Sequence, residues 1–324
     1  MSQPSITVVG SYATGLTMKV ERLPSSGETL LGTGYRMDHG GKGSNQAVGC
    51  ARLGAKVSFV ARIGNDSFGQ VAIRLYRDEG IDVTHVLQTA DAPTGVGFIL
   101  VEAASGKNCI TLDPGANEQL SAADVAKGET ALRSSAVVLT QLEIPVEAAA
   151  VALERGRACG AVTILNPAPV RPLPGGVLRL VDVLTPNEVE AKALTDRPPD
   201  AVVEPEEVGR ELVDAGVRQV VMTLGEKGAL VVTDSTCRHF PALAVPTVDT
   251  TGAGDAFSAG LATALAFGAT LEAAVELAIV TGGLAVTREG VIPSLPDCDA
   301  VLKNYRSRGI TPPAWLATHS AAAG

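Results

Sequence analysis

Short apolar runs rich in β-branched residues alternate with longer stretches of helical periodicity along most of the chain. Apolar runs without a polar side are typical of strands buried on both faces of a sheet. The strand-like runs are 6–9, 57–60, 136–140, 162–165, 182–184 and 220–223, and the helical stretches are 45–53, 69–78, 122–133, 146–157, 188–194, 206–215, 253–267, 271–287 and 297–305. This alternation predicts an α/β fold with a mainly parallel sheet and crossover helices.

Two segments interrupt the alternation, at about 15–37 and 94–112. Each has alternating polar and apolar residues around a turn signal, at 25–27 and 104–106, which is typical of an antiparallel hairpin. Two hairpins that leave one sheet can pair into a second, smaller sheet and cover a pocket at the strand ends. We therefore expect one domain over residues 1–310 with a small β-sheet lid.

The last segment, 311–324, carries two consecutive prolines and an alanine-rich end. Docking of Trp315 on the body and disorder of the segment are equally compatible with this composition. The segment is therefore treated as a C-terminal tail outside the domain.

Composition and charge restrict the class of protein. Hydrophobic residues make up 46% of the 324 residues and charged residues 19%, which is ordinary for a folded globular chain. The formal net charge is −9 and Lys and Arg form no long run, so a nucleic acid partner is not expected. The most apolar stretch, 256–286, contains Glu272 and Glu276 and predicts two buried helices, not a membrane span. The N-terminus lacks the order of a signal peptide, and we expect a cytoplasmic protein.

The segment 248–257, with the sequence VDTTGAGDAF, joins an extended run to an alanine-rich helix. Its glycines allow backbone N–H groups to converge at the helix N-terminus, where the helix dipole favours an anion. A carboxylate at Asp255 fits there if it acts as a base beside a transferred phosphoryl group and takes a proton from the attacking hydroxyl. The spacing is equally compatible with an ordinary N-cap formed by Asp255 or Thr251.

The segment 40–47, with the sequence GGKGSNQA, is a second glycine cluster that leads into a helix. Its glycines permit close approach of a ligand to the backbone, and Asn45 offers both a donor and an acceptor to a polyol. The segment is not a Walker A loop, because Arg36 stands where the first glycine of that loop is needed and Gly43 where its hydroxyl residue is needed.

Together these two segments closely resemble the ribokinase family of carbohydrate kinases. The resemblance extends from residue 6 to about residue 305, and further segments match in order: QLE at 141–143, LNPAP at 165–169, TPNEVE at 185–190, TLGEKG at 223–228 and VTREG at 286–290. It implies a three-layer α/β/α sandwich with a β lid. It also implies a reaction that moves the γ-phosphate of ATP to a primary hydroxyl of a sugar, with D-ribose as the default.

The resemblance also implies roles for individual residues. Asp255 takes the place of the catalytic base, and the backbone of Gly252, Ala253 and Gly254 that of the anion hole. The positions that bind the sugar are matched by Gly41, Lys42, Gly43, Asn45, Glu143 and Asp255. The positions that bind ATP and organise Mg²⁺ are matched by Asn187, Glu190, Thr223, Gly225, Gly228 and Gly254. Taken alone, Asn187 and Glu190 favour an explanation as a helix N-terminus with stabilising acidic residues.

A monovalent cation and a second subunit follow from the same resemblance. The positions of a potassium site are matched by Asp249, Thr251, the backbone of Ala285, Arg288 and Gly290, and the side chain of Ser294. All of the ligands would be oxygen atoms, which suit a hard cation. Lid strands that pair across a two-fold axis would hide their edges, so a homodimer through the lid is expected.

The first strand departs from the family pattern. Ribokinases carry Asn-x-Asp after this strand, whose side chains bind sugar hydroxyls, and here Ala13 and Gly15 stand at those positions. Each lost anchor is worth about 1.5–3 kcal/mol, so ribose binding is expected to weaken at least about tenfold per anchor unless neighbours compensate. Polar neighbours are Tyr12, Thr14, Thr17, Asp38 and His39, of which Asp38 and His39 are predicted to lie in a solvated loop.

The sequence therefore leaves several candidates for the phosphoryl acceptor. Lys42, Asn45 and Glu143 favour a polyhydroxylated compound, whereas Ala13 and Gly15 make room for a larger or less hydroxylated one. Another sugar, a sugar-like alcohol and a nucleoside are the alternatives to D-ribose. A function of a different class is ligand binding by a protein that has the kinase fold but catalyses no reaction. A nicotinamide oxidoreductase is disfavoured because no Gly-x-Gly-x-x-Gly follows the first strand.

Overall fold

The computed structural model describes residues 3–320, in which thirteen strands and eleven α-helices follow one another. The strands are β1 (Ser5–Val9), β2 (Ala13–Val20), β3 (Thr33–Gly40), β4 (Lys56–Gly64), β5 (Asp82–Thr89), β6 (Gly95–Glu102), β7 (Asn108–Asp113), β8 (Val137–Thr140), β9 (Val162–Leu165), β10 (Val183–Leu184), β11 (Gln219–Thr223), β12 (Ala229–Val232) and β13 (Cys237–Phe240). The helices are α1 (Lys42–Arg52), α2 (Ser67–Asp78), α3 (Ala122–Lys127), α4 (Glu129–Ser134), α5 (Val146–Ala158), α6 (Glu188–Leu194), α7 (Pro205–Asp214), α8 (Ala253–Ala266), α9 (Leu271–Ala285), α10 (Cys298–Ser307) and α11 (Ala314–Ser320).

Nine strands form the central sheet, in the order β13-β12-β11-β10-β9-β8-β1-β4-β5. The pairs from β5 to β11 are parallel, and β12 and β13 are added antiparallel at one edge. The first strand lies inside the sheet, where Val9 pairs with Val60 on one side and Thr140 on the other. The carboxyl ends of the parallel strands consequently meet at one edge, where ligands bind in open α/β sheets.

Helices cover both faces of this sheet, and each face has its own buried core. On β1, Ile6 and Val8 pack on one side and Val9 on the other. The first core is completed by α1, α2, α8, α9 and α10, and the second by α3 to α7. The predicted three-layer α/β/α sandwich is confirmed.

A separate four-stranded sheet has the order β3-β2-β6-β7. Its two hairpins, β2–β3 and β6–β7, are antiparallel, and β2 pairs with β6 in parallel to join them. The prediction that two distant hairpins combine into one small lid sheet is therefore confirmed.

A carboxylate before α2 fastens the second lid hairpin to the body. Asp66 Oδ1 accepts hydrogen bonds from Gly69 N (2.8 Å) and Thr94 Oγ1 (2.7 Å), and Asp66 Oδ2 accepts one from Thr94 N (2.7 Å). Partial burial raises the pKa of the Asp66 carboxyl, but these bonds outweigh burial and hold the pKa below its usual range. Since Thr94 directly precedes β6, this bond network fixes the base of the lid.

Local differences from the prediction have local causes. The helix predicted over 122–133 is interrupted at Gly128, which ends α3 and begins α4. Strands β5 and β13 are edge strands with exposed polar residues, so they lack the continuous apolar run by which buried strands are found.

The C-terminal segment forms α11 on the body. Trp315 is 7% exposed, and its ring stacks on Phe267 with centroids 4.1 Å apart and planes at 6°. Residues 321–324 of the predicted tail lie outside the described residues. Among the helices described between residues 3 and 320, none has the length and apolarity needed to cross a bilayer.

Candidate active site

Asp255 lies in the first turn of α8 and is 5% exposed. Asn45 Nδ2 donates to Asp255 Oδ2 (2.8 Å), and Gln46 Nε2 donates to Asp255 Oδ1 (2.9 Å). Each carboxylate oxygen thus accepts one amide N–H bond from the first turns of α1. The two glycine-rich segments meet at this point, although Asn45 and Asp255 are 210 residues apart in sequence.

The amide of Gln46 belongs to a buried chain of amides below Asp255. Gln141 Nε2 donates to Gln46 Oε1 (2.6 Å), Gln46 Nε2 also donates to Asn166 Oδ1 (3.1 Å), and Asn166 Nδ2 donates to the carbonyl of Thr185 (2.9 Å). Sequence reasoning assigned no role to Gln46, Gln141 or Asn166. The available signal was that all three lie within the segments matched to the family, at 40–47, 141–143 and 165–169.

The N-terminus of α8 lacks a side-chain cap. Gly252 occupies the N-cap position with φ 80°, and no side chain of residues 3–320 caps the first turn. The alternative that Asp255 or Thr251 is an ordinary N-cap is therefore wrong. The N–H of Ala253 donates to the carbonyl of Thr250 (3.2 Å), whereas the N–H groups of Gly254 and Asp255 have no acceptor among residues 3–320 and remain available to an anion.

Gly252 and Gly254 have different reasons for being glycine. A Cβ at Gly252 would lie 2.6 Å from Val291 Cγ1, so packing and the positive φ both require glycine there. A Cβ at Gly254 would meet no atom within 4 Å, and its φ is not positive. Neither the fold nor the backbone requires glycine at 254, and the space beside it belongs to a cavity.

That cavity has a volume of about 220 Å³ and lies between α1, α6, β11 and α8. Predicted residues from four segments line it, namely Lys42, Asn187, Glu190, Thr223, Gly252, Gly254 and Asp255. Thr250 and Ser258 also line it and were not predicted. Gly225 and Gly228 lie in the turn after β11, where a Cβ at Gly228 would be 2.0 Å from the carbonyl oxygen of Phe240.

Charges of both signs face the cavity. The nearby Asp255 carboxylate raises the pKa of the Lys42 ammonium, against the opposite effect of burial, so Lys42 is a cation. Burial raises the pKa of the Glu190 carboxyl, and only part of this rise is offset by the bond from Asn187 N and the charge of Lys42. A polyanion placed here would meet Lys42 and the N-terminus of α8 together.

Glu143 and the glycines at 41 and 43 hold the start of α1 against the end of β1. Glu143 Oε2 accepts hydrogen bonds from Ser11 Oγ (2.6 Å) and Lys42 N (2.8 Å). A Cβ at Gly41 would lie 2.6 Å from Tyr12 Cα, and one at Gly43 would lie 2.4 Å from Ser11 N. The close approach that these two glycines permit is therefore to the protein's own backbone at 10–12.

Asn187 and Glu190 form a reciprocal cap at the start of α6. Asn187 Oδ1 accepts from Glu190 N (2.8 Å), and Glu190 Oε2 accepts from Asn187 N (2.9 Å). The explanation as a helix N-terminus is thus correct for both residues. The pair also lines the cavity, so the cap and a ligand site share these oxygen atoms.

The residues predicted to bind potassium lie in two adjoining loops. Asp249 Oδ1 accepts from Thr251 N (2.9 Å) and Thr251 Oγ1 (2.6 Å), and Asp249 Oδ2 accepts from Gly290 N (3.0 Å). Partial burial raises the pKa of Asp249, but these bonds outweigh it and keep the pKa below its usual range. Ser294 Oγ donates to the carbonyl of Val291 (2.8 Å) within its own turn. Ala285 ends α9, and Arg288 lies in the turn that follows.

The lid carries the positions where the sequence departs from the family. Ala13 and Gly15 lie at the start of β2, and Asp38 and His39 lie in the paired strand β3. The prediction of a solvated loop at 38 and 39 is wrong, because both residues belong to a regular ladder with β2. Tyr12 Oη is hydrogen-bonded to His39 Nδ1 (3.0 Å) and Thr14 Oγ1 (3.2 Å).

A family model described as pfkB family carbohydrate kinase matches residues 3–298. The chain belongs to the pfkB family of carbohydrate kinases. This match confirms the predicted family and the class of enzyme. The roles predicted for individual residues stay predictions.

Relatives of this pfkB-family chain cover nearly its whole length. The ribokinase of Haemophilus influenzae is 37% identical over 292 residues, 90% of this chain and 95% of that protein. The deoxyribokinase of Salmonella typhi is 36% identical over 295 residues, 91% of this chain and 96% of that protein. The Arabidopsis thaliana ribokinase complexed with ribose and ATP superposes with a TM-score of 0.85 at 32% identity, covering 94% of this chain and 98% of that one.

Proposed function

We propose that the protein transfers the γ-phosphate of ATP to a primary hydroxyl of a sugar, with D-ribose as the default acceptor. The observation that carries this proposal is the pairing of Asp255 with an uncapped helix N-terminus, beside a glycine that leaves a cavity open. The similar ribokinase complexed with ribose and ATP supports the choice of both substrates. The deoxyribokinase relative supports a deoxysugar as the second candidate.

Asp255 is proposed as the base and α8 as the anion site. The acceptor hydroxyl gives its proton to Asp255 while its oxygen forms a bond to the γ-phosphorus, and the bond from that phosphorus to the β,γ-bridging oxygen breaks to release ADP. In the anion hole predicted at Gly252, Ala253 and Gly254, the N–H groups of the two glycines would face the charge that develops on the transferred group, whereas the N–H of Ala253 donates to the carbonyl of Thr250. Lys42, which the Asp255 carboxylate keeps as a cation, adds a positive charge from α1.

Mg²⁺ and potassium have separate places in this proposal. Asn187 and Glu190 supply oxygen atoms at the cavity wall, which suits Mg²⁺ bound by few protein ligands and several waters. The ion would neutralise charge on the ATP phosphates. Potassium is proposed at Asp249 and Thr251 with the loop around Gly290, all of them oxygen donors next to the N-terminus of α8.

The first test measures ADP release with MgATP and potassium across pentoses, hexoses, deoxysugars, polyols and nucleosides. Asp255→Asn is expected to bind ATP and lose turnover about 10²- to 10⁴-fold, the usual range for loss of a general base. Near-normal turnover of this variant would contradict the role of Asp255.

Two further arms of the same assay separate the alternatives. Choline in place of potassium should lower turnover if the cation site is correct, and unchanged turnover would remove potassium from the proposal. Wild-type protein that binds ATP and phosphorylates no compound of the panel would favour the ligand-binding function without turnover.

A further inference from the structure

The residues that pair with Gly15 in the lid sheet define one face of that sheet. Gly15 pairs with Asp38 of β3 on one side and with Gly97 of β6 on the other. Because side chains alternate along a strand, residues directly opposite each other share a face. Asp38, Gly15 and Gly97 therefore form one row across one face, which we call the inner face. Arg36, two residues before Asp38, lies on the same face.

The side chain of Asp38 lies next to the space that a side chain at position 15 would occupy. A Cβ at Gly15 would lie 4.0 Å from Asp38 Cβ and 3.3 Å from Ile99 Cδ1. A carboxylate on β3 thus occupies the neighbourhood in which related kinases are expected to place one on β2. The spacing between adjacent strands is about 4.8 Å, so the displaced group is within reach of the same ligand.

The inner face is turned toward the loop that supports the N-terminus of α8. Arg36 Nη1 lies 3.9 Å from Glu289 Oε2, and Asp249 is among the charges that raise the pKa of Arg36. Val291, whose side chain a Cβ at Gly252 would touch, lies two positions after Glu289. Arg36 and Asp38 therefore face the body on the side of the candidate anion site.

Three of the other polar neighbours of the missing anchors already take part in hydrogen bonds. Tyr12 Oη is hydrogen-bonded to both Thr14 and His39, and Thr14 lies opposite His39 on the outer face. Asp38 Oδ2 accepts a hydrogen bond from Arg36 Nε (2.5 Å). Within residues 3–320, Asp38 Oδ1 accepts no hydrogen bond, so one carboxylate oxygen is open on the inner face.

We propose that Asp38 binds hydroxyl groups of the acceptor in place of the side chain absent at Gly15, and that the acceptor is a neutral polyhydroxylated compound. This inference rests on the proposed function. Arg36 orients the carboxylate through Oδ2, and Oδ1 accepts from a hydroxyl of the acceptor. Since the carboxylate comes from a neighbouring strand, it reaches a different hydroxyl from the one that a residue at 15 would bind.

The experiment compares acceptor KM, ATP KM and kcat for Asp38→Ala with the wild type, using the best acceptor of the panel. Acceptor KM is expected to rise about 10- to 100-fold, as for loss of a charge-assisted hydrogen bond, with ATP KM unchanged. The exposed Arg36–Asp38 pair adds little to stability, so the variant should stay folded. Adding Gly15→Asp to Asp38→Ala returns a carboxylate to the inner face and should lower acceptor KM again.

The matched control is Glu102→Ala, which removes a lid carboxylate that is bound to Ser105 on the outer face. Its acceptor KM should equal that of the wild type. The inference is overturned if Asp38→Ala leaves acceptor KM unchanged, if Glu102→Ala raises it equally, or if the best acceptor is an acid whose KM depends on Arg36→Gln alone. Wild-type protein whose melting temperature and ADP release respond to no panel compound would overturn the proposed function, and this inference with it.

Discussion

At the scale of single residues, hydrogen bonds from α1 fix the orientation of the Asp255 carboxylate. Two amide N–H bonds, from Asn45 and Gln46, hold the two oxygens of one carboxylate in a fixed plane. Asn45 Oδ1 is buried and has no hydrogen-bond partner among residues 3–320. A buried oxygen atom without a hydrogen-bond donor is costly in free energy, and a hydroxyl of the bound sugar would supply that donor.

Gln46 positions this carboxylate, which two substitutions can test. Gln46→Met removes the donor to Asp255 Oδ1 and the acceptor for Gln141, and is expected to lower kcat about 10- to 100-fold with little change in ATP KM. Gln46→Glu keeps the shape but places a second carboxylate beside Asp255, so it should lower kcat further. Steady-state kinetics of the two variants distinguish a positioning role of Gln46 from a packing role. A larger loss for Met than for Glu would indicate that Gln46 acts by packing alone.

At the scale of elements, the N-terminus of α8 combines one glycine required by the fold with another that the fold does not require. Gly252→Ala meets Val291 at a positive φ and should destabilise the protein. Gly254→Ala meets no atom and should raise the free energy of unfolding by about 0.5–1 kcal/mol, because alanine favours a helix. The added methyl group enters the cavity, so Gly254→Ala should also raise ATP KM.

Urea unfolding and ATP kinetics on the same two variants provide the measurement. The expected pattern for Gly254→Ala is higher stability with weaker ATP binding, and for Gly252→Ala lower stability. Normal ATP kinetics in Gly254→Ala would show that the phosphates do not lie against this turn.

The hydrogen bonds by which Asp66 joins the start of α2 to Thr94 before β6 predict that stability depends on pH. Asp66→Ala removes an N-cap and the bonds to Thr94, and should lower the free energy of unfolding by about 1–3 kcal/mol at pH 7. The pKa of Asp66 is lower in the folded state, so its contribution is complete above the unfolded pKa of about 3.9 and is lost as the pH falls below that value.

Unfolding in urea at pH 7, 5 and 3.5 measures this contribution. The difference between Asp66→Ala and the wild type should be constant from pH 7 to 5 and shrink at 3.5. Asp200→Ala is the control, since Asp200 is exposed and makes no hydrogen bond within the described chain. A difference that does not change with pH would mean that the carboxylate charge is not what holds the lid.

At the scale of the whole molecule, the lid exposes apolar side chains as well as strand edges. Leu16 pairs with Met37 and Phe98 in one row of the outer face, and Met37 and Phe98 are 44% and 56% exposed. We propose that a second copy of the chain covers this row. Light scattering at micromolar concentration should give twice the chain mass of 33.1 kDa.

Phe98→Glu should then give a mass near 33.1 kDa, because a buried charge in the interface is costly. Val202→Glu changes an equally apolar and fully exposed residue in the loop before α7, and should leave the dimer intact. Monomeric wild-type protein would exclude the dimer.

How far the sequence predicts this molecule depends on how local each feature is. Periodicity predicts most of the buried strands and helices but misses the buried strand β12, and the motifs predict Asp255, Asn45 and Lys42 as neighbours. The amide chain from Gln141 to Asn166 could not be predicted, because side-chain geometry joins the ends of β8 and β9 through Gln46 on α1. The register that places Asp38 opposite Gly15 is likewise a property of the assembled lid, and polar residues before a glycine pair are otherwise typical of a loop.

The stacking of Trp315 on Phe267 has a consequence for spectroscopy. Trp315 is the single tryptophan of the sequence, and Phe267 directly follows α8, the helix that begins at the candidate anion site. Emission excited at 295 nm therefore comes from one known place, at the far end of that helix. A change of this emission on titration with ATP would show that binding at the N-terminus of α8 alters the Trp315–Phe267 stack beyond the other end of the helix, without any label attached to the protein.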